Sequence, residues 1–214
     1  MSERPDVFNN PVKFTNTVQI SDWDNVTPAI PRSHLALDNL KAFRVPLTEL
    51  RVHDAMQTLL PAAGVNDDLG LVGGTFGSGT PSAQTSDLKA AGATTQYARF
   101  QCPLPAEYAD GETVVLRLHA GMLTTVADGS ATIDIEAYLS DDEAGVSGAD
   151  LCATAAQSIN SLSVADKDFT ITSGALSAGD TLDVRIAVTI TDTATGTEVK
   201  GILGSIDRLC DCRG

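Results

Sequence analysis

Thr181-Leu182-Asp183-Val184-Arg185-Ile186-Ala187-Val188-Thr189-Ile190-Thr191-Asp192 decides the fold. Leu182, Val184, Ile186, Val188 and Ile190 occupy every second position, and polar or small residues fill the places between. A period of two puts the apolar set on one face of an extended chain, so this stretch reads as a strand with one face buried. Ala131–Leu139 behaves likewise, with Ile133 and Ile135 inward and Asp134, Glu136 and Tyr138 outward. In Glu112–Met122, Val114, Leu116 and Leu118 share one face and Val115, Arg117 and His119 the other. Shorter strands are expected at Gln96–Cys102, Phe169–Thr172 and Glu198–Ile206.

Turn chemistry separates them. Asp110-Gly111, Asp128-Gly129, Ala178-Gly179-Asp180 and Ala194-Thr195-Gly196 suit tight reversals. About seven short strands divided by such turns predict an all-β fold, a β-sandwich of jelly-roll type, over residues 46–214. Leu47–Val52 is expected as an edge strand, Val52–Leu60 as a short helix, and Gly73–Pro81 as a flexible surface loop.

Residues 1–45 read differently and are assigned to an extended, largely irregular N-terminal arm. Pro5, Pro11, Pro28 and Pro31 break them up, and apolar residues are scattered singly. Only Ser33–Phe43 has the spacing for a helical turn or two. Three of the six Phe and the single Trp lie here. A solvated tail has little use for them, so Phe8, Phe14, Trp23, Ile30 and Phe43 are expected to anchor the arm on a neighbouring subunit. The plainer alternative is that the arm packs on its own body or frays.

Charge divides along the same boundary. The arm holds five acids and five bases, and the remaining residues carry the whole net charge of −14. An acidic body repels phosphate, so nucleic acid is not an expected partner. No apolar run reaches about 18 residues, and the N-terminal residues lack the basic-then-apolar pattern of an export signal; no membrane span and cytoplasmic synthesis with reduced thiols are expected.

The search for chemistry returns weak signals. The glycine loop lacks the Lys-Ser or Lys-Thr pair of a phosphate loop. Gly145-Val146-Ser147-Gly148-Ala149 misses a nucleophile elbow by one position, and His119 has a simpler role pairing with an acid across a strand, Asp134 or Glu136. Cys210-Asp211-Cys212 lacks the second ligand pair of a closed zinc site, and its thiols are expected on opposite faces of a strand. Asp141-Asp142-Glu143 with Asp150 matches no calcium-loop spacing and reads as a solvated turn. Asn25-Val26-Thr27 fits a glycosylation acceptor, which an unexported chain would not use. No catalytic residue, metal ligand or cofactor is expected.

Three runs carry a resemblance: Leu118–Thr132, Asp150–Leu162 and Gly179–Arg185. They resemble segments of virion structural proteins of tailed bacteriophages, and most of all head decoration, or cement, proteins. The resemblance implies a small, commonly trimeric, non-enzymatic subunit on the outer capsid surface that binds and stabilises the lattice of the major capsid protein. Two alternatives stand beside it: a tail-fibre or receptor-binding subunit, and a carbohydrate-binding β-sandwich, for which the body offers only Phe76, Tyr97, Phe100, Tyr108, Tyr138 and Phe169, several of them in predicted strands where packing would claim them.

Overall fold

The computed structural model describes residues 40–126, 129–141, 145–146 and 148–212. They fall within one compact unit, Leu37–Gly214. The predicted arm anchors Phe8, Phe14, Trp23 and Ile30 lie outside the described residues.

The described strands are β1 (Leu40–Val45), β2 (Arg51–Val52), β3 (Ala55–Leu59), β4 (Gly70–Val72), β5 (Ser82–Gln84), β6 (Gly92–Pro103), β7 (Val114–Thr124), β8 (Ser130–Asp141), β9 (Gly145–Val146), β10 (Gln157–Ser158), β11 (Ala165–Ile171), β12 (Thr181–Asp192) and β13 (Lys200–Asp211). They form two antiparallel sheets. One has six strands in the order β11-β7-β13-β5-β4, with β1 on the free half of β13. The other has seven, in the order β10-β8-β12-β6-β2-β3, with β9 beside β8.

The chain is the all-β sandwich that the alternation predicts. The long strands β6, β7, β8, β11, β12 and β13 alternate between the two sheets, which is the jelly-roll habit. Leu182, Val184, Ile186, Val188 and Ile190 all point inward, against Ala98, Phe100, Ile133 and Ile135 of the same sheet's inner face and the opposing Leu116, Leu118, Phe169 and Ile206.

This alternation changes the meaning of the turns. The links carrying Asp110-Gly111 and Ala178-Gly179-Asp180 do not close hairpins; each carries the chain from one sheet to the other. His119 is reassigned for the same reason. Its strand, β7, lies in the opposite sheet from Asp134 and Glu136, and its Nδ1 instead meets Asp166 of β11 at 2.8 Å.

Three other expectations give way. Val52–Leu60 is not a helix: a turn at His53-Asp54 separates β2 from β3, which pair with each other at the sheet's edge. Leu47–Glu49 is a 3₁₀ turn, and only Arg51–Val52 of that predicted edge strand is extended. Leu40–Val45 belongs to neither a helical turn nor the arm. It pairs with β13 from Leu40↔Asp211 to Val45↔Ile206, so residues 40–45 belong to the sandwich and not to the predicted irregular stretch. Lys41, Phe43 and Val45 alternate with Leu40, Ala42 and Arg44, a period of two that the charged residues concealed.

Candidate ligand face on the seven-stranded sheet

The inward apolar set of β6, β8 and β12 forces their alternate residues onto one outer face, and the register aligns these in rows. Tyr97, Ala187 and Asp134 form one row; Arg99, Arg185 and Glu136 the next; Gln101, Asp183 and Tyr138 a third. On the other side of the Tyr97 row, Thr95, Thr189 and Thr132 form a fourth, with the Thr95 and Thr189 hydroxyls 2.8 Å apart. Ala187 is the smallest side chain in the middle of this face, so the floor is lowest between Tyr97 and Asp134.

Ion pairs lock this face both between rows and along one. Arg99 grips Asp183 with two bonds, one from Nε to Oδ1 at 2.7 Å and one from Nη2 to Oδ2. Asp183 is 5% exposed, so this fork is what makes its burial tolerable. The Asp183 carboxylate holds the Arg99 guanidinium above the ordinary arginine range, against the opposing effect of burial. Arg185 Nη2 donates to Glu136 Oε1 at 2.6 Å, and its guanidinium lies 5.0 Å over the Tyr97 ring. The His53 ring lies 4.6 Å from the Tyr97 ring at 35°, and His53 Nδ1 meets Asp68 Oδ1 at 3.4 Å.

Tyr138 donates from its hydroxyl to Glu136 Oε2 at 3.4 Å. Burial and the neighbouring Glu136 and Asp150 carboxylates push the Tyr138 phenol up. Burial likewise holds the Asp134 carboxyl above its usual range; the Ile135 N–H, at 2.9 Å, opposes that, and Asp150 and Glu136 add to it. Glu136 and Asp183 are each held by an arginine. Such a face can bind a flat polar ligand.

Among the described residues no group of three or more His, Cys, Asp or Glu side chains is placed to hold a metal ion, and no helix is long and apolar enough to cross a membrane. Of the predicted anchors, only Phe43 is described. It faces inward from β1, half-buried, with the Arg208 guanidinium 4.7 Å over its ring. That placement makes it a packing residue of the sandwich. Cys210 and Cys212 are also corrected: residues two apart on a strand share a face, and both thiols point inward.

Phe76 is the residue that the pattern of alternation passes over. It stands fully exposed at the apex of the β4–β5 loop. The loop is a built turn, with the Ser78 and Gly79 N–H groups donating to the Thr75 carbonyl. Gly74, at φ +68°, passes so close to Gly79 that a Cβ on it would lie 2.9 Å from the Gly79 Cα. An isolated aromatic within a glycine run was the available signal.

No family model matches this chain, and no curated protein matches it. Several solved structures do. The CBM22-1 xylan-binding domain of Paenibacillus barcinonensis Xyn10C is 11% identical, with a TM-score of 0.39 over 69% of this chain and 83% of its own. TmCBM61, solved with β-1,4-galactotriose, is 7% identical at a TM-score of 0.39, covering 80% and 88%. The xylan-binding module CBM15 is 12% identical at a TM-score of 0.39, covering 82% and 100%. At this similarity these structures carry no functional weight for this chain.

Proposed function

We propose that this protein is a non-enzymatic binding module that takes a glycan on the outer face of its seven-stranded sheet. The observation that carries this reading is the arrival of Tyr97 and Tyr138 on one face, among planar, hydrogen-bonding Arg, Asp, Glu and Gln side chains. A sugar presents C–H faces that pack on aromatic rings and hydroxyls that suit planar donors and acceptors. Four residues along β12 and two strand spacings separate the tyrosines, about 16 Å in all, a span for an oligosaccharide chain rather than a single sugar. Arg185, 39% exposed and bonded to a single Glu136 oxygen, is the movable cover of the Tyr97 ring.

The test is retention on a panel of immobilised polysaccharides. Wild-type protein should be retarded by at least one of them. Tyr97→Ala and Tyr138→Ala should each weaken binding about tenfold or more, which corresponds to about 1.4 kcal/mol. A wild-type chain that ignores every glycan in the panel overturns the reading.

A second reading is favoured by Phe76 together with the phage-like sequence phrases. Here the chain is a trimeric decoration subunit on the outer capsid surface, binding the major capsid protein through the arm residues Phe8, Phe14, Trp23 and Ile30 and through Phe76. An exposed aromatic on a structured loop suits a hot-spot anchor. The protein should then sediment as a trimer and co-pellet with expanded phage heads, and Phe76→Ala should lower head occupancy at least tenfold. A monomer that stays in the supernatant excludes this role. Interference with phage adsorption would instead place it at the tail.

A further inference from the structure

β13 runs to its end through Arg208-Leu209-Cys210-Asp211, and Cys212 follows in a single bridge to Tyr108. The strand's period places Arg208, Cys210 and Cys212 on its inner face. The two thiols are 0% and 4% exposed, and their sulfurs lie 3.8 Å apart. The Cys212 Sγ–H also reaches the Cys210 carbonyl at 3.7 Å. Arg208 is 8% exposed, yet among the described residues no carboxylate pairs with it. Its Nη1 donates to the Cys102 thiol at 3.7 Å, its plane rests on Phe43, and its Nε–H has no acceptor. Arg208 and Cys210 are two residues apart on the strand and share its inner face. A buried guanidinium surrounded by neutral sulfur and an aromatic ring lacks the negative charge that normally justifies its burial.

We propose that Cys210 and Cys212 form a two-coordinate site for a soft monovalent cation, Cu(I) or Ag(I), with Arg208 as its built-in counter-charge. On loading, one cation replaces two thiol protons. Two metal–sulfur bonds form, two protons leave to solvent, and no electron is transferred. The bis-thiolate complex carries one negative charge beside one buried positive charge. Thiolate ligands select soft ions of this kind.

Zn(II) fits worse on two counts: the bis-thiolate complex would be neutral, leaving Arg208 uncompensated, and two of its four ligands would be missing. With metal–sulfur bonds of about 2.3 Å, a linear site needs sulfurs about 4.6 Å apart, so the thiols at 3.8 Å must swing apart by roughly 0.8 Å. Burial, and then the Cys212 thiol beside it, pushes Cys210 up to about 12. Because each cation displaces two protons, loading weakens as pH falls. Opening the isolated Tyr108–Cys212 bridge supplies the entry path.

The test is an anaerobic Cu(I) titration of the reduced full chain against a chromophoric Cu(I) chelator. Wild type should hold one equivalent with sulfur-to-copper charge-transfer absorption in the ultraviolet. Cys210→Ser and Cys212→Ser should each weaken retention at least 100-fold. Arg208→Met should weaken it more than Arg208→Lys, and Cys152→Ser should leave it unchanged. Copper X-ray absorption on wild type should count two sulfur neighbours, a readout independent of whether the variants fold. Surrender of copper by wild type as readily as by the serine variants overturns the proposal, as does a coordination shell of nitrogen or oxygen.

Discussion

Asp134 and Asp183 project from neighbouring strands onto the same face, and the fold treats them differently. Asp183 is nearly sealed but gripped by Arg99, while Asp134 is half-buried with the Ile135 N–H as its hydrogen-bond donor. Burial raises the Asp134 carboxyl, so the folded chain holds that proton more tightly than the unfolded chain does. Stability then falls as pH rises from the unfolded value near 3.9 through the higher folded value, and the full penalty persists above it. Asp134→Asn keeps an acceptor for the Ile135 N–H and removes the penalty. It should raise stability at neutral pH by about 1 kcal/mol at most, given solvent screening. Urea midpoints at neutral pH and below about pH 3.9 check this: the gain should vanish in acid, and an equal gain at both would sink the argument. The outward direction of Asp134 was legible from its neighbours Ile133 and Ile135. The contrast with Asp183 was not, because Arg99 lies on another strand and only the register makes it a partner.

At the scale of elements, β1 is where local pattern and final structure part most clearly. Lys41 and Arg44 mask a six-residue strand whose hydrogen-bond partner lies at the far end of the chain. Phe43 and Val45 from this strand close the sandwich over Arg208 and Ile206. Deleting residues 1–45 should therefore lower stability relative to deleting residues 1–39, by about 3 kcal/mol for the lost packing. Urea unfolding of the two truncations makes the comparison, and coincident midpoints would show that β1 contributes nothing. The turns tell a related story. Gly111, at φ +77° with open space around it, is needed for its backbone conformation. At Gly129 a Cβ would sit 1.8 Å from the Thr191 carbonyl oxygen, so there the requirement is close approach. Both glycines read as turn residues in sequence, yet the second reason exists only once β12 lies alongside.

For the whole molecule, residue order along each strand determined a great deal. A period of two is a local property, because successive side chains of an extended chain must point to opposite sides. It sufficed to establish the all-β class, the positions of three long and three shorter strands, the inward set of Leu182 to Ile190, and the outward placement of Asp134, Glu136, Tyr138, Arg117 and His119. It also placed the acidic charge on the body. Strand neighbours were decided by tertiary structure alone. Any strand edge offers the same N–H and C=O groups, so nothing local says that β12 lies between β6 and β8, or that β13 takes β1 and β7. Choosing those neighbours brought Tyr97 and Tyr138 onto one face, moved His119 from Asp134 to Asp166, and drew Phe43 out of the predicted arm and onto Arg208. The chemistry of each side chain was present from the start; its partner was set by the packing of two sheets whose strands come from widely separated parts of the described chain.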